Sequence, residues 1–270
     1  MKFGVCAGYR EVATLHERPF DYLEENVQRL LAPEQPQAYF EDILHEVRAL
    51  ALPIEACNSM LPANLPLIAT PQQQVDPVRL ERYIKTMLQR AEQGGVRVIV
   101  FGSGQARACP PGYDHDDAIE QLGAYLATWS EWGRQHGVSI ALEPLRYEET
   151  NILNTITEGG ALVTQHIHSG ATLLIDTYHM ACNGEKPTDI VPLTSLISHV
   201  HVAEKQDRAA PGHYGEDMRP YFSALHTGDY DSRISIECRW QDFANEVEPA
   251  IETVKRQWTD TVGVSFVTPS

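Results

Sequence analysis

The 270-residue chain is poor in cysteine and in positive charge, and it holds no long apolar run. Its five cysteines, Cys6, Cys57, Cys109, Cys182 and Cys238, lie far apart and never form a CxxC pair, which excludes a disulfide framework and a zinc ribbon. A reducing cytoplasm is the expected setting. Lys and Arg number 21 against 37 Asp and Glu, a net charge of -16 at pH 7 with no basic run. That balance repels phosphate backbones and anionic lipid, so neither nucleic acid nor a membrane surface is an expected partner. No segment reaches the roughly 18 apolar residues of a membrane span, and MKFGVCAGYR lacks the apolar core of a signal peptide. A GxGxxG between a first strand and helix is also missing, which removes the main marker of a doubly wound nucleotide-binding sheet. No linker rich in Pro, Gly or Ser, no internal repeat and no low-complexity tract interrupts the chain.

What is present is a recurrence of short apolar runs, most of them followed by a segment of helical period, which is the pattern of repeated βα units and a parallel sheet. The runs are Phe3 to Ala7, Asp21 to Val27, Ile54 to Cys57, Val96 to Phe101, Val138 to Glu143, Thr172 to Asp176, Ile197 to His201 and Ile234 to Glu237. Between them, Pro77 to Gln93 carries Val78, Leu80, Tyr83, Ile84, Met87, Leu88 and Ala91 on one stripe, with Asp76 placed as N-cap, Pro77 at the first helical position and Gly94 as a stop. A second helix is expected from Asp116 to His136, stopped by Gly137, with Ile119, Leu122, Leu126, Trp129 and Trp132 on its stripe. Eight units of about 34 residues match the size of a (β/α)8 TIM barrel with a parallel eight-stranded core, so one domain spanning residues 1–270 is expected.

Four of the runs end in a side chain of metal-ligand type: VSIALE at Glu143, ATLLID at Asp176, LISHVH at His201 and SRISIE at Glu237. They are spaced by about one βα unit each. At the C-terminal ends of successive barrel strands such groups converge on the mouth, where loops build the active site. Three carboxylates and an imidazole crowded together repel one another or take up protons, and a divalent cation resolves that conflict. The oxygen-rich set suits Mn²⁺, Mg²⁺ or Co²⁺, with Zn²⁺ less favoured. Taken singly, each acid after a strand is also read as a helix N-cap or a solvated loop residue. His199 and His201 point to the same face of one strand. His201 is assigned as the ligand because it lies nearer the C-terminal end, with His199 as a hydrogen-bonded core residue; the reverse assignment is the alternative.

The stretches MKFGVCAG, IEACNSMLP, VIVFGSGQAR, ALEPLRYEETNILNT, LLIDTYHMA, HVHVAEKQDRAAPG and GDYDSRISIECRW cover the chain from end to end. Together they resemble the xylose-isomerase-like TIM barrels, and within them the D-tagatose/D-psicose 3-epimerase and hydroxypyruvate isomerase branch of sugar (phosphate) isomerases and epimerases. The family's metal set falls on Glu143, Asp176, His201 and Glu237. The resemblance also implies substrate contacts from Glu149, from His179 in DTYH and from Arg208 in the loop before AAPG, and a homodimer or homotetramer. Two departures stand out. The family's E-P-L-N-R-x-E-T-N reads EPLRYEETN, which moves the arginine to Arg146 and sets Glu148 against Glu149, and paired arginines before Pro-Gly become Arg208 and Ala209.

The expected activity is metal-assisted proton transfer next to the carbonyl of a ketose or small keto sugar, phosphorylated or not, through an enediolate, with Glu143 and Glu237 as the acid/base pair. Return of the proton to the same carbon gives epimerisation, and to the neighbouring carbon gives aldose-ketose isomerisation. The alternatives are a dehydratase of a cyclic polyol on the same barrel and a non-catalytic sugar-binding barrel; a DNA-repair endonuclease is disfavoured by the charge. VFGSGQAR is read either as a phosphate cradle helped by Arg107 or as a tight turn. Trp129, Trp132 and Trp258, and the cysteines Cys57, Cys182 and Cys238, are read as packing.

Overall fold

Valine, isoleucine and leucine crowd the runs named above, and such strands are stable only where both faces of the sheet are covered. The computed structural model, which describes residues 1–262, meets that requirement with eight parallel strands closed on themselves. They are β1 (Lys2–Cys6), β2 (Tyr22–Asn26), β3 (Ile54–Asn58), β4 (Val98–Phe101), β5 (Ser139–Leu142), β6 (Thr172–Asp176), β7 (Ile197–Val202) and β8 (Arg233–Ile236). The order is β1 through β8 in sequence, and β8 pairs back with β1, a (β/α)8 TIM barrel. Each expected run overlaps one strand. Glu143 and Glu237 fall one residue beyond their strands, already in the loops. The domain expected to run to Ser270 is described as far as 262; residues 263–270 lie outside the described residues.

The apolar interior is in two parts. Tyr22, Ala56, Val98, Val100, Ala141 and Leu174 fill the barrel axis, while a larger shell between sheet and helices holds the alternate strand residues, such as Ile99, Phe101, Val200 and Val202, against the helical stripes. Each of the valine, leucine, isoleucine and phenylalanine side chains among them, fully withdrawn from water, contributes about 1.5–3 kcal/mol.

The helix Pro77–Gly94 buries Leu80, Tyr83, Ile84, Met87, Leu88 and Ala91 as the periodicity requires, and Asp76 caps it by accepting from Arg79 N at 2.9 Å. Two details differ from expectation. Val78 is 74% exposed, because in the first turn it lies off the core-facing side. The helix also stops at Gly95, not Gly94: Gly95 takes φ +79°, the left-handed conformation that ends a helix without steric cost to glycine. The long helix expected from Asp116 begins one residue earlier, His115–Gln135, because Asp114 accepts from both Asp116 N and Asp117 N. Its stripe buries Leu122, Leu126 and Trp129, with Ile119 and Trp132 partly covered. Trp258 is also core. The five cysteines are unpaired. Among the described residues no helix is long and apolar enough to cross a membrane.

Candidate metal centre and active site

Parallel strands place all their C-terminal ends at one rim, and the four ligand-type residues meet there. One donor atom from each of Glu143, Asp176, His201 and Glu237 lies within 4.8 Å of every other. Strand pairing sets the spacing: His201 on β7 stands beside Asp176 on β6.

Asp176 has two roles. Its Oδ1 caps the helix Thr177–Asn183 by accepting from Tyr178 N at 2.7 Å, while Oδ2 faces Arg208 Nη2 at 3.0 Å and His179 Nε2 at 3.5 Å. The N-cap reading and the ligand reading therefore describe different oxygens of one carboxylate. Glu237 accepts from Asn58 Nδ2 through Oε1 at 3.1 Å and faces His201 Nδ1 through Oε2 at 3.1 Å. Arg208 donates to the same Oε2. Glu143 Oε1 approaches the same His201 Nδ1 at 3.3 Å.

His201 is fully buried and held from behind, its Nε2 2.9 Å from Glu24 Oε1. His199 sits one layer deeper, with Nε2 2.7 Å from Glu24 Oε2, which also accepts from Ser235 Oγ at 2.7 Å. Tyr22 Oη extends the network to Ser235 Oγ at 2.8 Å. His201, rather than His199, thus turns a ring nitrogen toward the three carboxylates. Glu24 and Asn58 were not singled out in the sequence. A signal existed for Glu24: DYLEENV puts two acids inside a strand buried on both faces, and a buried carboxylate needs a specific partner.

The electrostatics follow from this packing. Burial acts to raise the Glu24 carboxyl, but the two imidazoles outweigh it and hold the group well below the usual carboxylate range. Burial disfavours the His201 imidazolium, yet Glu24 and Glu237 raise its pKa well above the ordinary value. Burial leaves His199 lowered in spite of Glu24. Glu143 is raised, chiefly by burial and with the Glu237 charge adding to it, whereas Arg208 and His201 overcome burial at Glu237 and bring it down to about 2. The two glutamates are driven apart, as in sites that need one acid and one base.

A cavity of about 290 Å³ opens over the cluster, lined by Glu143, Glu149, His179, Arg208 and Glu237 among others. His179 is buried and accepts from Arg146 N at Nδ1 over 3.4 Å, leaving Nε2 toward Asp176. Glu149 lines the cavity and pairs with Arg146 at 2.9 Å, whereas the Glu148 side chain is 70% exposed. Arg208 also binds the Glu237 carbonyl at 3.1 Å and lies over the Tyr178 ring at 4.8 Å. Both Asp207 (φ +57°) and Arg208 (φ +52°) are left-handed, an unfavourable backbone for non-glycine residues. Glu204 sustains it: this fully buried carboxylate accepts from Gly212 N at 2.8 Å, Tyr214 N at 2.6 Å, Gly215 N at 3.0 Å and Glu216 N at 3.1 Å, pinning the loop that carries Arg208.

The phosphate-cradle reading of VFGSGQAR does not hold for Arg107. Its guanidinium is fully buried, donating to the Phe101 carbonyl at 3.2 Å and the Leu153 carbonyl at 3.4 Å, so it braces the loop from inside. Gly102 has a steric role, because a Cβ there would overlap the Glu143 carboxylate.

A closed eight-stranded parallel barrel with a carboxylate-imidazole cluster at its C-terminal rim defines a class, the TIM barrels with a candidate metal site at the rim. Within that class the chain belongs to the xylose isomerase-like TIM barrel family, whose profile matches residues 12–260. It is 30% identical over 138 residues to an L-ribulose 3-epimerase of Methylomonas sp., covering 50% of this chain and 46% of that protein. It is 23% identical over 131 residues to a D-psicose 3-epimerase of Agrobacterium fabrum, covering 46% and 45%. The chain thus spans about half the length of the curated relatives it matches. Solved structures share the fold across nearly the whole chain. An L-ribulose 3-epimerase superposes with a TM-score of 0.78 at 18% identity, covering 99% of both chains. A D-allulose 3-epimerase from Methylomonas sp. gives 0.76 at 20%, covering 95% and 97%. The IOLI protein, with a bound zinc atom, gives 0.72 at 17%, covering 99% and 100%.

Proposed function

We propose that this protein is a divalent-metal-dependent sugar isomerase or epimerase that moves a proton next to the carbonyl of a ketose or small keto sugar. The observation that carries the reading is the convergence of Glu143, Asp176, His201 and Glu237 within 4.8 Å at the rim. Their donor chemistry fits a divalent ion. Three carboxylates and one imidazole are available, and three of the four are oriented from outside the cluster: His201 by Glu24, Glu237 by Asn58 and Asp176 by the Tyr178 amide. The oxygen-rich set favours Mn²⁺, Mg²⁺ or Co²⁺ and tolerates Zn²⁺.

Held by these four residues, such an ion supplies Lewis acidity to the carbonyl and the adjacent hydroxyl. The chain's own groups do the rest. Glu143 and Glu237, both facing His201 Nδ1, stand as the acid/base pair, one removing the proton next to the carbonyl and the other returning a proton to the enediolate. Arg208 and His179, both reaching Asp176 and both lining the cavity, hold the substrate oxygens nearest the reacting carbons. Glu149, steadied by Arg146, positions a hydroxyl further along. The epimerase names of the sequence relatives support the same reaction class.

Two measurements test this. Small ketoses incubated with the protein and Mn²⁺ in D₂O should take up deuterium next to the carbonyl, and exhaustive chelation should abolish the uptake. Glu237→Gln should slow the exchange by about 10²–10⁴-fold with an unchanged circular dichroism spectrum. Exchange that survives chelation would refute the reading, and water loss seen by mass spectrometry would point to a dehydratase.

A further inference from the structure

A second cavity, of about 260 Å³, lies beside the first and shares Asn58, Ser59, Arg208 and Glu237 with it. The two therefore open on either side of the Glu237–Arg208 pair. Their polarity is opposite. The first is lined by Glu143, Glu149 and Glu237 against the single guanidinium of Arg208. The second is lined by three arginines, Arg29, Arg208 and Arg239, brought in by the segments after β2, β7 and β8, against the carboxylates of Glu24 and Glu237.

Hydrogen bonds decide what the second cavity has left to offer. Its two carboxylates are fully engaged: Glu24 with His199, His201 and Ser235, and Glu237 with Asn58, His201 and Arg208. The donors are not. Arg29 uses only Nε, toward Glu25 Oε2 at 3.2 Å, and its side chain is 62% exposed. Asn26 is engaged through Oδ1, which caps the following turn, and its Nδ2 has no partner among the described residues. Arg239 is tied down through its backbone, N donating to the Arg208 carbonyl at 2.8 Å, while its guanidinium makes no ion pair among the described residues. Unclaimed donors and positive charge, in a chain of net charge -16, match an anionic group rich in acceptor oxygens.

We propose that the cavity between Arg29 and Arg239 receives the anionic end, a phosphate or a carboxylate, of a sugar whose carbonyl end lies at Glu143, Asp176, His201 and Glu237. The proposal rests on the isomerase reading and narrows its substrate to charged keto sugars. The metal-bearing cavity takes the hydroxyl-rich, reacting end. The arginine-lined cavity sets the distance at which a terminal charge is accepted.

The test compares fructose, fructose 6-phosphate and fructuronate, three ketoses of one carbon skeleton with a neutral, a phosphate and a carboxylate end, by deuterium uptake with the Mn²⁺-loaded protein. For at least one charged ketose kcat/KM should exceed that of fructose by about tenfold, and Arg239→Gln should reduce that ratio by about tenfold. Which charged ketose shows the preference identifies the anion. A ratio of one or below, or a ratio that Arg239→Gln leaves intact, overturns the proposal while the isomerase reading stands. Failure of all three to exchange tells against the isomerase reading instead, and the anion site is then decided by calorimetric titration with inorganic phosphate. Binding that Arg239→Gln weakens about tenfold upholds the site; no binding, or equal binding by the variant, overturns it. Arg239 is exposed and without side-chain partners among the described residues, so the variant should fold.

Discussion

The residue that organises the site is Glu24, a carboxylate no motif drew attention to. Its two oxygens receive His199, His201 and Ser235, which holds His201 with Nδ1 toward the three acids. Outer partners of this kind set the tautomer and basicity of a ligating imidazole, and losing one typically weakens metal binding about 10–100-fold. Glu24→Gln should weaken Mn²⁺ binding by that factor in a calorimetric titration; unchanged affinity would reduce Glu24 to a packing residue. Glu185, just beyond the helix Thr177–Asn183, makes a separate statement about pH. Burial, with Asp189 and Glu158 adding to it, raises its carboxyl to about 7 even though it accepts from Ile156 N at 2.8 Å. The folded chain therefore holds this proton more tightly than the unfolded one, so stability falls as pH rises from the ordinary carboxylate range to about 7, then levels off. Glu185→Gln lacks that titration. Its Tm should gain on the parent chain by about 1–3 °C between pH 5 and pH 8, a small shift because the group is only half-buried. A Tm difference independent of pH would contradict the assignment.

At the scale of elements, the four ligand candidates lie within one residue of a strand end, and loops aim the rest. The loop after β7 is held by Glu204, whose carboxylate gathers four backbone amides and keeps two successive non-glycine residues in left-handed conformation. Glutamine at 204 keeps one acceptor oxygen; with its NH2 in place of Oε2 the Tyr214 amide loses its acceptor, at a cost of about 1–3 kcal/mol. Glu204→Gln should therefore accelerate hydrogen exchange at Gly212, Tyr214, Gly215 and Glu216 while the strands stay protected, and it should raise KM by releasing Arg208. Uniform exchange across the barrel would mean instead that Glu204 supports global stability. Much of the element layout was legible beforehand, since each apolar run marked a strand and the Asp76-Pro77 pair marked a helix start. The boundaries were less so. Gly94 and Gly95 look alike in sequence, and only the backbone conformation shows which one ends the helix. Arg107 likewise reads as a loop cation until the fold folds it inward onto two carbonyls.

For the whole molecule, an ion held by the carboxylate-imidazole cluster at one rim would be tied to stability. A ligand that binds only the folded state at 100 times its Kd adds about 2.7 kcal/mol. Mn²⁺ should raise the Tm in a concentration-dependent way, with chelator reversing the gain; a Tm indifferent to Mn²⁺ would argue that the four residues do not form a metal site. Apparent affinity should also climb with pH, because the raised pKa of His201 means that its ring must give up a proton before Nδ1 can ligate. Sequence alone determined the barrel and its four ligand candidates, because apolar periodicity and spacing are local properties and parallel strands of matched length must end at a common rim. It also carried the sign of the surface charge. Only the tertiary structure decided that Glu24 stands behind His201, that Asn58 steadies Glu237, and that the second cavity is lined by cations in an acidic chain. Each of those facts joins residues far apart in sequence, and closure of β8 onto β1 is what brings them within reach.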